Sequence, residues 1–326
     1  MTSLQSHAFR TPSRPADSLF QSVGGTPLVR IANIARGQVP AGVEIWAKLE
    51  GLNPGGSVKD RAALNMLRTA ERTGRLQPGG RILDASSGNT GIALAMLAAR
   101  RGYALTLCLP ANVNAERLRT LRAYGADVRL TSEMEGSDGA IVEARGLAAE
   151  DPSLLYLDQY GNAANWRAHF EGTGPEIWAQ TEGRVTHFVA ALGTSGTFMG
   201  TTRYLKGRNP KLEAHSVEPE SALHGLEGLK HMASSIVPPI YDPHLADEQL
   251  AAPTEESLVL VRELACREGL LVGPSSGAAL WGALQVARRL RSGLVVAVFP
   301  DGGSRYLSED RIWQPEAEPG PAANGR

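Results

Sequence analysis

Three short loops of small and hydroxylated residues each follow a predicted strand and open a predicted helix. They occupy residues 86–91 (SSGNTG), 193–197 (GTSGT) and 273–277 (GPSSG). Backbone N–H groups at a helix N-terminus, with hydroxyls beside them and no bulky side chains, form a site for an anion. One such loop is equally compatible with a structural turn. Three of them at strand ends favour an anionic ligand.

The common nucleotide-binding motifs do not fit these loops. Residues 193–200 space their glycines as G-x-x-G-x-x-x-G rather than G-x-G-x-x-G, and G-x-x-x-x-G-K-[ST] does not occur. A small phosphorylated cofactor is therefore favoured over a dinucleotide or ATP.

Lysine is rare in this chain, which makes the position of Lys59 informative. There are five lysines, and arginine supplies nearly all of the remaining positive charge. Lys59 lies in the first turn of a helix predicted to begin near Ser57, where the helix dipole disfavours a cation. The pKa of an amine placed there falls, as a lysine that forms a Schiff base requires. An exposed surface lysine is the alternative interpretation.

The loops and Lys59 are positioned by alternating strands and helices. The pattern predicts strands at 43–49, 81–85, 105–109, 127–130, 154–158, 187–192, 213–217, 270–272 and 294–299. It predicts helices at 58–72, 90–101, 115–124, 140–149, 198–206, 255–267 and 278–291. This order is typical of an α/β protein with mostly parallel sheets covered by helices. Two such sheets suit the length, and sites in these folds lie at the carboxyl ends of strands.

The composition is that of an ordinary globular protein of 326 residues, with 42% hydrophobic residues and a net charge of −1. Without a basic field, neither nucleic acid nor an anionic membrane is an expected partner. No apolar run approaches the roughly 18 to 20 residues of a membrane span, and no signal peptide is evident. We therefore expect a cytoplasmic protein, with flexible tails at 1–16 and 314–326.

Metal binding is not expected either. Two cysteines cannot form a tetrahedral zinc site by themselves, and the seven histidines include no H-x-x-x-H or H-E-x-x-H pair.

Several motifs together resemble the cysteine synthase and cystathionine β-synthase family of pyridoxal-phosphate enzymes, closest to its cysteine synthase B and O-phosphoserine sulfhydrylase-like branch. The similarity runs from about residue 19 to 307, in the order and spacing of the family. The segments that carry it are GGTPL at 24–28, NPGGSVKDR at 53–61, SSGNTG at 86–91, GTGPE at 172–176, GTSGT at 193–197 and GPSSGA at 273–278.

The resemblance implies the type II fold of pyridoxal-phosphate enzymes, similar to the tryptophan synthase β chain. Each of two domains would then contain a mainly parallel sheet flanked by helices. The larger, cofactor-binding domain would comprise residues 17–54 and 160–313. Residues 55–159 would form a smaller, mobile domain that carries the substrate loop. The family is generally homodimeric.

The resemblance also implies roles for single residues toward the cofactor. Lys59 would bind pyridoxal 5'-phosphate covalently and act as acid and base, and Asn89 would hydrogen-bond the phenolic oxygen of the cofactor. Ser275 would bond the pyridine nitrogen, and residues 301–306 would complete the wall near it. The phosphate would be held by Gly193, Thr194, Ser195, Gly196 and Thr197, although the family usually has glycine where Ser195 stands.

The substrate would be an O-activated L-serine. Its α-carboxylate would be bound by Ser86, Ser87, Asn89, Thr90 and Gln159. Elimination of the β-substituent would give an α-aminoacrylate, and a sulfur nucleophile would add to it to give L-cysteine. A neutral hydroxyl at the ring nitrogen suits this reaction, because β-elimination needs less carbanion stabilisation than transamination does.

The identity of the donor depends on residues 221–241. Lys230 stands where some O-phosphoserine-dependent members have arginine, and a cation there suits a phosphate better than an acetyl group. Lysine lacks the bidentate fork of arginine, however, and a surface role for Lys230 is the alternative. O-phosphoserine is slightly favoured over O-acetylserine.

Three other functions share parts of this pattern. Cystathionine β-synthase has the same cofactor motifs but uses homocysteine, and serine or threonine dehydratase performs only the elimination. A partner-binding regulatory protein is the non-enzymatic alternative, which an intact Lys59 disfavours. The sulfur source, sulfide or the thiocarboxylate of a carrier protein, is not predicted by the sequence.

Overall fold

The computed structural model describes residues 19–86 and 88–314. Within these residues the strands, in chain order, are β1 (Leu28–Arg30), β2 (Gly42–Leu49), β3 (Arg81–Ala85), β4 (Ala104–Pro110), β5 (Asp127–Thr131), β6 (Leu154–Tyr156), β7 (His187–Ala191), β8 (Glu213–Pro219), β9 (Glu248–Ala252) and β10 (Ser292–Phe299).

The α-helices alternate with these strands. They are α1 (Lys59–Arg72), α2 (Asn89–Arg101), α3 (Ala115–Ala123), α4 (Gly136–Glu150), α5 (Ala163–Ala168), α6 (Gly174–Gln180), α7 (Gly196–Arg208), α8 (Thr254–Glu263), α9 (Pro274–Arg289) and α10 (Asp310–Trp313). Single π-helical turns follow α5 at His169–Thr173 and α8 at Leu264–Glu268. No helix in the described part of the chain has the length and apolar character needed to cross a membrane.

The strands form two sheets. The larger sheet has the order β1-β2-β10-β7-β8-β9, and the smaller has the order β5-β4-β3-β6. Every neighbouring pair is parallel except β1 and β2, which are antiparallel. The prediction of an α/β fold with two mainly parallel sheets is confirmed. The smaller sheet lies within the range predicted for the smaller domain, and the domain boundaries themselves stay a prediction.

Both faces of each sheet are buried. Along β10, Leu294, Val296 and Val298 belong to one apolar cluster, which also contains residues of α6 and α7. The alternate residues, Val295, Ala297 and Phe299, belong to another cluster, with residues of α8 and α9. Successive side chains of a strand point to opposite faces, so a strand covered by helices on both sides is apolar throughout. This explains why β10 was predicted from a continuous apolar run.

Some predicted elements are wrong or were missed. Residues 270–272 form no strand, because Val272 makes only an isolated bridge to Gly302. The strands β1 and β9 and the short helices α5, α6 and α10 were not predicted. The tail predicted at 1–16 lies outside the described residues, as does the tail predicted at 314–326 except for Gln314.

Candidate active site

A cleft of about 550 Å³ is lined by loops that follow strands of both sheets. Ser86 comes from the loop after β3, Asn89 and Thr90 are the first residues of α2, and Gln159 follows β6. Gly193 follows β7 of the larger sheet. Carboxyl ends of parallel strands are the usual place for a ligand in such folds.

A narrower recess adjoins this cleft. The two share part of their lining, including Lys59, Asn89 and Thr194. Beyond them the recess is lined by Ser195, Thr197, Ser275, Val298, Pro300 and Asp301. The arrangement is thus an open outer chamber and a small inner one, with Lys59 on the wall of both.

Lys59 is the first residue of α1. Its amine makes no hydrogen bond with any residue in the ranges 19–86 and 88–314. Burial lowers the pKa of Lys59, and the Asp301 carboxylate partly offsets this by raising it. The direction agrees with the prediction from the sequence. The main cause is desolvation, and not the helix dipole expected from the position of Lys59 in the sequence.

The loop after β3 is held by its own side chains. The Ser86 hydroxyl accepts a hydrogen bond of 2.9 Å from the Gly91 N–H, which caps the start of α2. Thr90 donates a hydrogen bond of 2.7 Å to the Gln159 side chain, which in turn donates one of 2.6 Å to the Ala85 carbonyl. Thr90 and Gln159 therefore form one rigid wall of the outer chamber. Ser87 lies outside the described residues.

Two glycines of the loop after β7 lie so close to neighbouring atoms that a side chain is excluded at either position. A Cβ added at Gly193 would overlap the Gly228 carbonyl oxygen, and one at Gly196 would overlap the Asn165 side chain. Between them, Ser195 adopts a left-handed conformation with φ of 68°. This conformation favours glycine, which accords with the glycine usual in the family at this position. Ser195 is buried, and its hydroxyl has no partner among the described residues.

Asn89 and Asp301 connect the two sheets across the recess. The Asn89 amide donates a hydrogen bond of 2.7 Å to the Asp301 carboxylate, and Arg305 donates one to the Asn89 amide oxygen. Tyr306 donates a further bond of 2.7 Å to Asp301. Burial, together with the Asp301 charge, raises the pKa of Tyr306 well above its usual value. The Tyr306 hydroxyl therefore stays protonated.

Besides Lys59, the basic side chains of Lys230 and Arg117 line the outer chamber. Lys230, whose side chain is 8% exposed, forms a salt bridge of 2.9 Å with Asp138 of α4 and lies 5.1 Å from the centre of the Tyr160 ring. Arg117 of α3 forms a bidentate salt bridge with Glu227. Lys230 is thus part of the cleft rather than the exposed surface, and its charge is paired.

Two of the sequence motifs, GGTPL and GTGPE, line neither the chamber nor the recess. Glu176 of GTGPE belongs instead to a largely buried ionic network close to Lys59. Lys48, which is fully buried, bonds Glu176 at 2.7 Å. Arg61 bonds both Glu50 and Glu176 at 2.7 Å. The Gly25 N–H also donates to Glu176, at 2.9 Å. Because Arg61 lies two residues after Lys59, this network fixes the start of α1.

Most of the predicted site residues lie around this cleft and recess. Gly196 lines neither; it is the first residue of α7 behind the loop. Arg117 and Glu227 were not predicted, because a single charged residue on a helix or in an irregular loop carries no distinctive local pattern. Residues 301–306 were expected at the wall of the site, but the influence of the Asp301 charge on Lys59 was not foreseen.

Comparison with known proteins agrees with this geometry. Residues 19–301 match the model of the family described as "Pyridoxal-phosphate dependent enzyme". The chain is 50% identical over 303 residues to the cysteine synthase of Aquifex aeolicus, covering 91% of this chain and 93% of that one. It is 44% identical to cysteine synthase B of Salmonella typhimurium, covering 90% and 95%.

Solved structures give the same result for the fold. The cysteine synthase of Entamoeba histolytica superposes with a TM-score of 0.90 at 33% sequence identity, covering 96% of this chain and 95% of that one. The predicted type II pyridoxal-phosphate fold is confirmed.

Proposed function

The chain belongs to the family of pyridoxal-phosphate dependent enzymes, in its cysteine synthase group, and we propose that Lys59 and the surrounding cleft make L-cysteine from an O-activated L-serine and a sulfur nucleophile. The observation that carries the proposal is the Lys59 amine, which has no hydrogen-bond partner in the described chain and lines both chambers of the site. A lysine so placed can reach a cofactor in the recess and a substrate in the outer chamber.

The residues of the recess fit pyridoxal phosphate. The loop at 193–197 presents backbone N–H groups at the start of α7, where the helix dipole favours a phosphate. The buried hydroxyl of Ser195 has no other partner within the described residues, and Gly193 and Gly196 have no room for a Cβ. Ser275, which is 5% exposed, supplies a neutral hydroxyl for the ring nitrogen. When bound, the cofactor supplies an electron sink for the α-carbon of the substrate.

Lys59 has the two properties that its role requires. Because burial lowers its pKa, a larger fraction of the amine is uncharged, which is the nucleophilic form. The uncharged amine can also accept the α-proton and later return it, as general acid–base catalysis requires. Asn89, held by Asp301 and Arg305, keeps one edge of the recess in a fixed orientation.

The α-carboxylate of the substrate is bound by the loop after β3. Ser86, Asn89 and Thr90 lie at or near the amino end of α2, a favourable position for a carboxylate. The bonds from Thr90 to Gln159 and from Gln159 to Ala85 preorganise this part of the site. A preorganised carboxylate site fixes the α-carbon next to Lys59 with little loss of entropy.

The leaving group of the substrate points toward Lys230, and O-phospho-L-serine is the better donor. Lys230 and Arg117 both line the outer chamber, and a phosphate interacts more strongly with cations than an acetyl ester does. Each cation is paired with a carboxylate, Asp138 and Glu227 respectively. An ammonium has three N–H donors, so Lys230 can bind a phosphate in addition to Asp138. A homodimeric state stays a prediction.

The visible absorption spectrum of the purified protein tests the proposal. We expect a yellow protein whose absorption band changes on addition of O-phosphoserine and recovers when sulfide is added with release of cysteine. Lys59→Ala should lose covalent attachment of the cofactor, as measured by mass spectrometry after borohydride reduction. A protein that stays colourless after incubation with pyridoxal phosphate would contradict the proposal. A spectrum that responds only to O-acetylserine would overturn the choice of donor alone.

A further inference from the structure

Two histidines and a glutamate meet at the amino ends of β7 and β8. Parallel pairing places His187, the first residue of β7, beside Glu213, the first residue of β8. His215 follows Glu213 by two positions, so its side chain leaves the same face of the sheet. The two imidazole rings stack with their centres 5.7 Å apart. The ligand atoms of all three residues lie within 4.8 Å of one another, and this is the one such group of His, Cys, Asp or Glu among the residues described.

Both histidines are oriented through their Nδ1 atoms. His215 Nδ1 lies 3.0 Å from the Glu248 carboxylate, and His187 Nδ1 lies 2.8 Å from the Thr186 hydroxyl. The Nε2 atoms of both rings consequently face Glu213, each 3.9 Å from its Oε2. Imidazoles that bind a metal through one nitrogen are typically held at the other by a carboxylate, a carbonyl or another polar group.

His215 supplies a separate indication of a ligand. Its side chain is 3% exposed, and its Nε2 is a buried polar atom without a hydrogen-bond partner in the described chain. Buried polar atoms in native proteins are nearly always satisfied. The unsatisfied Nε2 points to the same space as His187 and Glu213.

We propose that His187 Nε2, His215 Nε2 and a Glu213 carboxylate oxygen bind one divalent transition-metal ion of the zinc class, with water as the fourth ligand. Two imidazoles and one carboxylate form a ligand set that Zn²⁺ and Co²⁺ accept, whereas Mg²⁺ and Ca²⁺ prefer oxygen ligands. An imidazole binds a metal ion in its neutral form, through the ring nitrogen that carries no proton.

The distances between the three ligand groups can be compared with those expected around a bound zinc ion. Ligand atoms about 2.1 Å from a zinc ion lie about 3.4 Å apart in a tetrahedron. The two contacts with Glu213 at 3.9 Å therefore need to shorten by about half an ångström, and the two histidine ligand atoms, which lie within 4.8 Å of each other, by about 1.4 Å at most. The Glu213 side chain is 59% exposed, so it can make this movement, and its exposure also provides the entry path for the ion.

The charged residues next to the site determine which carboxylate binds the ion. The Glu248 carboxylate receives two bonds from Arg289, at 2.8 and 2.6 Å, in addition to His215. Glu248 therefore orients His215 and does not bind the ion itself. The positive charge of Arg289 is balanced by Glu248, which leaves Glu213 as the anion for the metal.

The location of this site indicates a structural role. His187 and Glu213 begin their strands, whereas the catalytic cleft is formed at the opposite, carboxyl ends. At roughly 3.3 Å per residue, the segment from His187 to Gly193 places the proposed metal site about 20 Å from this part of the cleft. An ion at the amino ends would join β7 and β8 and stabilise the folded state by binding to it selectively.

Metal binding by the holoenzyme tests this inference. The protein is freed of metal with EDTA, dialysed, and titrated with ZnCl₂ or CoCl₂ in equilibrium dialysis with metal analysis. We expect about one ion per chain at saturation, an increase in Tm, and visible d–d bands for Co²⁺ bound by nitrogen and oxygen. Glu213→Gln and His187→Ala should each weaken binding about tenfold or more. His244→Ala, which removes an exposed histidine elsewhere, should leave the affinity unchanged.

The variants also distinguish this site from other metal-binding groups. Glu213 is exposed, so Glu213→Gln should retain the fold and the cofactor spectrum even if His187→Ala does not. No saturable binding by the wild-type protein would overturn the inference. Equal binding by wild type, Glu213→Gln and His187→Ala would overturn it too, since the ion would then be bound elsewhere, for example at Cys266.

Discussion

The side-chain amide of Asn89 donates a hydrogen bond of 2.7 Å to the carboxylate of Asp301. Asn89 begins α2 beside the smaller sheet, and Asp301 follows β10 of the larger sheet. This bond therefore joins the two halves of the site across the recess. The same carboxylate acts on Lys59, whose pKa it raises against the larger lowering by burial. A single residue thus orients Asn89 and adjusts the charge of Lys59.

Asp301→Asn should lower the pKa of Lys59 further. The amide preserves the shape of the side chain and removes the negative charge, so the ammonium form of Lys59 loses its electrostatic support. We expect the pH midpoint for incorporation of pyridoxal phosphate into the apoenzyme to move to lower pH. Stopped-flow absorbance across a pH series measures this midpoint.

Asp310→Asn is the matched control, because it removes an exposed carboxylate from the same C-terminal region. Its midpoint should equal that of the wild type. An Asp301→Asn midpoint that stays in place or moves to higher pH would show that Asp301 does not act on Lys59 through its charge.

Lys230→Ala should impair the use of O-phosphoserine more than that of O-acetylserine. A bond between an ammonium and a phosphate is charge-assisted, so its loss should reduce kcat/KM for O-phosphoserine about tenfold or more, mainly through KM. Steady-state kinetics with both donors measure the difference. The effect on O-acetylserine should be small, because its leaving group is uncharged.

Two variants control this experiment. Lys230→Arg keeps the positive charge and should retain most of the preference. Lys206→Ala breaks a similar ion pair, 2.8 Å from Asp247, away from the cleft, and should leave both donors unaffected. Equal losses for both donors in Lys230→Ala would refute a role of Lys230 in recognising phosphate.

The parts of the site that were predictable from the sequence are those with a strong local signal. The glycines at 193 and 196 are required because neighbouring atoms approach them too closely for a Cβ, and a glycine-rich loop at a strand end leaves a recognisable pattern. Arg117 leaves none, because its importance depends on the distant Glu227. The group of His187, Glu213 and His215 was missed for the same reason. Parallel strand pairing brings these residues together, and their spacing along the chain matches no short histidine motif.

In the fold, as in the site, the parts with a strong local sequence pattern were the ones predicted correctly. Buried strands such as β10 have continuous apolar runs, so they were recognised with small errors at their ends. The edge strands β1 and β9 are short and only partly buried, and they lack such a run. Residues 270–272 have the composition of a strand, but they pair with the chain only at Val272. Contacts with the rest of the fold, rather than the local sequence, determine whether these segments form strands.

Glu176→Gln should destabilise the protein by about 3 kcal/mol or more. The substitution removes the carboxylate that pairs with the fully buried Lys48 and with Arg61, and an unpaired buried cation is costly. Urea unfolding of the holoenzyme at neutral pH measures the change. Glu171→Gln, at an exposed position five residues earlier, should change the free energy of unfolding little.

Because Glu176 is paired as a carboxylate, we expect the folded protein to lose stability in acid. Hydrogen bonds from Arg61 and Lys48 outweigh burial and lower the pKa of Glu176 from 4.5 to about 2. Its contribution to stability is therefore complete above pH 4.5 and is lost as the pH falls toward 2. Wild type and Glu176→Gln should converge in stability at the acidic end of this window, and a constant difference would contradict the pairing.

Asp84→Asn should flatten the pH dependence of stability at neutral pH. Burial raises the pKa of Asp84 from 3.8 to about 8, so between these values the folded state binds a proton that the unfolded state has lost. The contribution of Asp84 is complete below pH 3.8 and is lost as the pH rises through 8, with a slope of up to about 1.4 kcal/mol per pH unit. Urea unfolding from pH 5 to 8 measures the slope.

The slopes, rather than the absolute stabilities, are the quantity to compare. An amide at position 84 alters the local hydrogen bonds at every pH, but it cannot titrate. Burial also raises the pKa of Asp60, to about 7. Because Asp60 still titrates in the variant, part of the wild-type slope should remain. Asp127→Asn, on the exposed edge strand β5, should reproduce the wild-type profile. An unchanged slope in Asp84→Asn would mean that Asp84 is ionised in the folded protein.

Ser195→Gly and Gly196→Ala should have opposite effects, although the residues are adjacent. Glycine at 195 relieves the left-handed conformation, with φ of 68°, which costs other residues about 1 kcal/mol, and it removes a buried hydroxyl. Alanine at 196 would overlap Asn165, whose amide holds the Thr194 hydroxyl at 3.1 Å, at a cost of about 1 to 3 kcal/mol.

Thermal unfolding of the apoproteins should therefore show Ser195→Gly at or above the wild-type Tm and Gly196→Ala below it. Spectral titration with pyridoxal phosphate should show retained affinity in the first and weakened affinity in the second, because only the second displaces the backbone that would hold the phosphate. The reverse order of affinities would indicate that the Ser195 hydroxyl, and not the backbone of the loop, provides most of the phosphate binding.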